Sequence, residues 1–160
     1  MIARATLLGL AVAALALQPA AAQTANLRLT PAEIAALANN GAGPGTSGVS
    51  GVRSTVLFGD PTKAGPYTIE IRVPANTRIA AHRHKDDRTA VVVSGLWNLG
   101  YGDSASDAAA KTLPPGSFYT EPGGVSHFAR TGGQPAIVYI SGYGPTDTTY
   151  VDPTLTPPRR

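Results

Sequence analysis

The chain has 160 residues, and its 13 basic and 10 acidic side chains give a formal net charge of only +3. With 42% hydrophobic and 14% charged residues the composition is that of a folded protein, and no basic stripe indicates nucleic-acid binding. The absence of cysteine excludes disulfides, thiolate metal sites and cysteine nucleophiles.

The first 22 residues have the order of a secretory signal. Arg4 precedes an uncharged apolar run over residues 5–17, and Ala20 and Ala22 fit an A-x-A cleavage site. The run is too short to span a bilayer as a stable anchor. We therefore predict cleavage after Ala22, a periplasmic or secreted protein, and no membrane anchor after processing. The remaining 138 residues are enough for one domain.

The next segment, 23–51, is predicted to hold one short helix and a linker. Thr30 and Glu33 form a capping box around Pro31, which is typical of a helix start, and the helix is expected to end near Gly41. Residues 41–51 are mostly Gly, Ser and other small residues, which predicts a flexible linker that buries almost nothing.

From residue 54 onwards, apolar residues recur with a period of two. Short strands separated by Pro, Gly, Asp and Asn, with no helices between them, predict an all-β sandwich, jelly roll or barrel over residues 52–151. Residues 152–160 are predicted to form a surface tail. The predicted strands are 54–58, 67–73, 78–84, 89–93, 96–101, 116–120, 127–130 and 136–141.

The only three histidines of the chain are His82, His84 and His127. His82 and His84 are two residues apart on one predicted strand, so both side chains face the same way with Cα atoms roughly 6–7 Å apart. An isolated pair of this kind usually adds nothing but polarity to a surface. His127 begins another predicted strand and is the one histidine left to complete a metal site.

Two motifs carry a family resemblance. The segment from Gly116 through Pro122 and Gly124 to His127 has every position of the second cupin motif, and His82-x-His84 followed by Gly95 matches the first motif in part. Over about residues 52–145 the chain resembles small single-domain cupins of the cupin 2 and ChrR-like type. The resemblance implies a jelly-roll β-barrel with the three histidines in its mouth, and it allows a homodimer.

The first motif departs from the family pattern at one position. Arg88 stands where cupins commonly place a metal-binding glutamate, and a guanidinium cannot ligate a metal. Arg88 can pair with Asp86 or Asp87 on a loop, bind the carboxylate of a substrate, or mark a cupin that has lost its metal. Replacement of the glutamate by Asp86 or Asp87 is a further alternative.

By resemblance, we expect one divalent metal on His82, His84 and His127, with Fe, Zn, Mn, Cu and Ni all compatible with imidazole ligands. The expected function is that of a small-molecule metalloenzyme, with dioxygenase chemistry favoured, and the alternative is a non-catalytic ligand-binding or sensing cupin. The expected ligand is a small molecule, with an anion favoured by Arg88. Besides Arg88, the candidate substrate-binding residues are the aromatic residues Trp97, Tyr119 and Phe128.

Overall fold

The fold is described from a computed structural model, which covers residues 26–39 and 41–157. The predicted signal, 1–22, lies outside the described residues and stays a prediction. Within the described ranges, no helix is long and apolar enough to cross a membrane.

One short α-helix, α1, spans Pro31–Ala36. Its start has the chemistry that the sequence indicates: the Thr30 hydroxyl accepts from the Glu33 amide, and the Glu33 carboxylate accepts from the Thr30 amide at 2.7 Å. The helix ends four residues earlier than the predicted Asn40-Gly41 boundary, and Ile34 is its one buried residue.

Beyond α1, the regular structure of the described chain is β-strand apart from two three-residue 3₁₀ helices, Asp107–Ala109 and Pro153–Leu155, which confirms the predicted all-β class. All eight predicted strands are present with shifted ends, and two short strands, β6 and β10, were not predicted. The strands are β1 Arg53–Phe58, β2 Gly65–Val73, β3 Arg78–Arg83, β4 Arg88–Ser94, β5 Trp97–Tyr101, β6 Ala110–Leu113, β7 Phe118–Glu121, β8 His127–Thr131, β9 Ala136–Gly144 and β10 Thr149–Tyr150.

The strands form two antiparallel sheets of five, with the core between them. One sheet has the order β1-β2-β9-β4-β7 and the other the order β10-β3-β8-β5-β6. Alternation along each strand sends one set of side chains inward, as with Ile69, Ile71 and Val73 of β2, which are all buried. The two sheets are therefore held together by apolar side chains from both inner faces.

The segment 41–52, here called the strap, packs against the barrel. The expectation that residues 41–51 bury almost nothing is wrong, because Thr46 and Ser47 are buried. Backbone carbonyls of the strap accept hydrogen bonds from barrel side chains: Thr46 from the Thr148 hydroxyl at 2.8 Å and Ser47 from the Tyr150 hydroxyl at 2.6 Å. The composition of the segment predicts a flexible backbone. The peptide groups of a Gly-rich segment can nevertheless be fixed by hydrogen bonds from residues far away in the sequence.

Candidate metal centre

The three histidines converge at one end of the space between the sheets. His82 on β3 lies directly opposite His127 on β8 in the strand register, and His84 follows the end of β3. Their ring centroids are 4.4 Å apart for His82 and His127, and 5.0 Å apart for His82 and His84. One potential ligand atom from each lies within 4.8 Å of the others. The structure thus brings together the three residues that the sequence proposed as ligands.

Backbone carbonyls orient all three imidazole rings. The Nδ1 atom of His82 lies 2.8 Å from the Ala80 carbonyl oxygen, and that of His127 lies 3.3 Å from the Val125 carbonyl oxygen. The Nδ1 atom of His84 faces the carbonyl of Asp147. A carbonyl can only accept, so each ring carries its proton on Nδ1 and keeps the Nε2 lone pair.

Burial keeps these imidazoles neutral. Burial, reinforced by the neighbouring His127, lowers the pKa of His82 to about 4. Burial and the positive charge of Arg88 lower the pKa of His84 to about 2. Burial also lowers the pKa of His127, and nearby Glu121 offsets this only in part. Neutral imidazole is the form that binds a metal ion.

The Nε2 atoms of His84 and His127 are buried and have no hydrogen-bond partner among the described residues. Buried polar atoms without a partner are uncommon and need an explanation. Two unpartnered lone pairs beside a third imidazole form a donor set that suits a divalent transition-metal ion. The residues present therefore fit the metal that the cupin resemblance implies.

Arg88 has a partner that the sequence did not suggest. It is buried on β4, directly opposite Glu121 on β7, and its guanidinium binds the Glu121 carboxylate, with Nε 2.7 Å from Oε2. Another guanidinium nitrogen donates to the Gly45 carbonyl of the strap at 2.8 Å. The expectation of a loop salt bridge with Asp86 or Asp87 is wrong.

The two aspartates are engaged elsewhere. Asp86 accepts hydrogen bonds from the Tyr67 hydroxyl at 2.7 Å and the Thr146 hydroxyl at 2.6 Å. Asp87 accepts from the Gly123 amide at 2.7 Å. Among the described residues, no hydrogen bond or ion pair joins either carboxylate to the three histidines, so neither takes the place of the motif's glutamate.

Glu121 is the polar residue of the site that the sequence analysis missed. Its Oε1 lies 3.6 Å from Nε2 of His127, and its Oε2 lies 3.9 Å from Nε2 of His84. Burial would raise the pKa of Glu121, but the positive charge of Arg88 and the adjacent histidines outweigh burial and lower it to about 2. The site therefore contains an ionised carboxylate.

A cavity of about 30 Å³ adjoins His82 and His127. This is room for one or two water-sized groups. Three of the candidate substrate-binding residues, Arg88, Trp97 and Tyr119, line it, and neither Trp97 Nε1 nor the Tyr119 hydroxyl has a hydrogen-bond partner among the described residues. The other lining residues are Gly45, Ser47, Ile71, Ile79, His82, Glu121, His127, Ala129, Val138 and Ile140.

Phe128, the fourth candidate for substrate binding, does not line this cavity. It follows His127 on β8, so alternation directs it to the opposite face of the strand. There its ring covers Gly100 of β5, its partner in the strand register. Phe128 is a packing residue in this structure.

Gly100→Ala is expected to destabilise the protein. A Cβ atom at this position would lie 2.2 Å from the Phe128 ring, so the ring must move. Overpacking of this kind costs about 1–3 kcal/mol. Urea unfolding measures the loss, and Gly133→Ala is the control because a Cβ there has nothing within 4 Å. Equal stability of the two variants would show that Phe128 does not pack on Gly100.

Comparison with known proteins places the fold. No protein-family model and no curated protein matches the chain. Among solved structures, a cupin 2 conserved barrel protein from Rhodopseudomonas palustris matches at 17% identity and a TM-score of 0.51, over 62% of this chain and 66% of that one. An RmlC-like cupin from Shewanella frigidimarina matches at 16% identity and a TM-score of 0.55, over 76% and 93%.

A protein named as an enzyme is also among the structural matches. The DMSP lyase DddQ from Ruegeria pomeroyi matches at 18% identity with a TM-score of 0.52, over 61% of this chain and 50% of that one. The chain thus spans about half the length of the lyase and just under two thirds of the Rhodopseudomonas protein. At these identities the matches establish the fold alone, and the chain folds as a cupin-type β-barrel.

Proposed function

We propose that the protein is a metal-dependent enzyme acting on a small molecule, with one divalent ion held by His82, His84 and His127. The observation that carries the proposal is the pair of buried, unpartnered Nε2 atoms beside the third imidazole. A structural role alone would leave these polar atoms without compensation in a buried site. A bound ion would supply Lewis-acid or redox chemistry at this position.

The chain's own groups suit a reaction that is shielded from water. The cavity beside the histidines has apolar walls, including Ile71 and Val138, which limit the number of water molecules that can enter. Burial raises the pKa of Tyr119 well above its ordinary value, so its hydroxyl keeps its proton and can donate to an oxygen atom of a substrate. Trp97 also lines the cavity, and its interaction with the Tyr119 hydroxyl opposes part of this rise in pKa.

For the reaction itself we propose dioxygenase chemistry, which the cupin resemblance supports. The alternative is a non-catalytic ligand-binding or sensing barrel. Arg88 in place of the usual glutamate favours this alternative, because a guanidinium cannot bind a metal ion. The presence of Glu121 weakens this argument from Arg88, because Glu121 supplies a carboxylate beside the same histidines.

Metal content of the purified protein tests the proposal. We expect about one divalent ion per chain by elemental analysis, and a higher melting temperature when the same ion is added back after chelation. An ion at a hundred times its dissociation constant stabilises the folded state by about 2.7 kcal/mol. Protein that remains free of metal and unchanged in melting temperature at saturating Fe²⁺, Zn²⁺, Mn²⁺, Cu²⁺ and Ni²⁺ would favour the non-catalytic alternative.

A further inference from the structure

Glu121 reaches the histidines from the opposite sheet. His82 and His127 belong to the sheet that contains β3 and β8, whereas Glu121 lies on β7 at the edge of the other sheet. Its side chain is 5% exposed and its two oxygens lie 3.6 and 3.9 Å from histidine Nε2 atoms. An ion bound by the histidines would therefore have a buried carboxylate next to it.

The two oxygens of this carboxylate have different surroundings. Both hydrogen bonds from Arg88 go to Oε2, through Nε at 2.7 Å and through a terminal nitrogen. Oε1 accepts neither of these bonds and is the oxygen nearer to His127. The guanidinium thus fixes the carboxylate through Oε2 and leaves Oε1 without an arginine contact, 3.6 Å from Nε2 of His127.

We propose that Glu121 is the fourth protein ligand of the metal ion, through Oε1, and that Arg88 is the positioning residue that holds Glu121. This inference rests on the proposed function, because it requires an ion on the three histidines. The carboxylate that is absent at position 88 is then provided by its partner across the β4–β7 pair.

Charge supports this assignment. Three neutral imidazoles leave the full charge of a divalent ion uncompensated, and little water can reach a buried site to screen it. The Glu121 carboxylate would place one negative charge next to both positive groups, the ion and Arg88. A ligand set of three nitrogens and one carboxylate oxygen suits Zn²⁺, Fe²⁺ or Mn²⁺ better than the softer Cu⁺.

The chain offers a matched control in Glu70. It is also a buried glutamate bound to an arginine, with Arg72 Nε 2.6 Å from its Oε1. It lies between Ile69 and Ile71 on β2, so it faces away from the core and from the histidines. Substituting Glu70 removes a buried carboxylate of the same kind without touching the proposed site.

The test is the affinity for Zn²⁺, measured by competition with a chromophoric chelator. Glu121→Gln keeps an acceptor for Arg88 but is a poor metal ligand, so we expect roughly a tenfold or greater loss of affinity. Glu70→Gln should bind Zn²⁺ like the wild type. In the Co²⁺-loaded protein, the visible absorption bands should change with Glu121→Gln and not with Glu70→Gln. Unchanged affinity and an unchanged Co²⁺ spectrum would overturn the assignment of Glu121.

A second comparison covers the case in which Glu121→Gln fails to fold with an unpaired Arg88. Arg88→Met and the double variant Arg88→Met/Glu121→Gln both lack the buried cation and differ only at position 121. The single variant should bind Zn²⁺ at least tenfold more tightly than the double variant, and equal affinities would contradict the inference. If His127→Ala also retains the wild-type affinity for Zn²⁺, the proposed function itself fails. If His127→Ala loses this affinity and the Glu121 variants do not, only the role of Glu121 is refuted.

Discussion

His127→Ala is expected to abolish tight metal binding while the barrel stays folded. Each histidine supplies one bond, and His82 and His84 alone would leave an ion largely hydrated and weakly held. We expect the affinity to fall on the order of a hundredfold or more, because direct ligands matter more than the outer contacts whose loss costs 10–100-fold. Competition titration with Zn²⁺ measures this loss, and circular dichroism monitors the fold.

Arg130→Gln is the control for this experiment. Arg130 lies on the same strand, β8, but belongs to the opposite face and pairs with Asp107 at 2.6 Å. This variant should bind metal like the wild type. Equal affinity of His127→Ala and the wild type would remove these histidines from consideration as the metal site.

Of all these variants, Arg88→Met is expected to cause the largest decrease in the free energy of unfolding of the metal-free protein. Arg88 and Glu121 have side chains only 2% and 5% exposed, so removing the cation leaves an uncompensated charge in the core. Breaking a buried pair in this way costs roughly 3–5 kcal/mol. This is a large fraction of the total stability of an ordinary domain, and urea unfolding of chelator-treated protein measures it.

Two further variants serve as controls for this stability prediction. Lys63→Met breaks the Lys63–Asp60 pair, whose side chains are 78% and 40% exposed, and should leave the free energy of unfolding nearly unchanged. Arg88→Met/Glu121→Gln should recover part of the loss, because no charge is then left unpaired. An Arg88→Met protein as stable as the wild type would show that the pair does not hold β4 and β7 together.

If Glu121 is a ligand, bound metal should reduce the stability loss, measured as the free energy of unfolding, that Arg88→Met causes. A bound ion replaces the missing positive charge beside the carboxylate, so the stability gained on adding Zn²⁺ should be larger in this variant than in the wild type. A gain no larger than that of the wild type would show that the charge of Glu121 does not act on the bound ion.

The strands and the histidine cluster could be predicted because both depend on local patterns. Alternation marks the inward residues of β2 and β4, and two histidines separated by one residue must share a face of a strand. The second motif placed His127 at the start of β8, where the structure has it. Strand ends were less predictable, since β7 extends one residue beyond the predicted boundary, to Glu121.

This one-residue difference in the end of β7 explains why the sequence did not indicate Glu121 as a site residue. Tyr119 was a candidate for substrate binding, and Glu121 follows it by two positions, so extending the strand would have placed both on the same face. The pairing of Arg88 with Glu121 depends on the register of β4 against β7, which spans 33 residues of sequence. Local charge spacing favoured Asp86 and Asp87 instead, and it carried no information about a partner on another strand.

The strap was mispredicted for a related reason. Its residues have little apolar surface of their own, and the groups that fix it come from Arg88, Thr148 and Tyr150. Contacts across a hundred residues leave no periodic signal in the segment itself. Composition describes what a segment can bury, whereas its order here comes from the hydrogen bonds made by its peptide groups.

The site depends on a segment, residues 147–150, that follows all of its side chains in the sequence. A nascent chain that has emerged only as far as residue 131 already contains the three histidines, Arg88 and Glu121. It still lacks the Asp147 carbonyl that orients His84, and the Thr148 and Tyr150 hydroxyls that fix the strap. The ligand side chains alone therefore do not make the finished centre, which also requires residues 147–150.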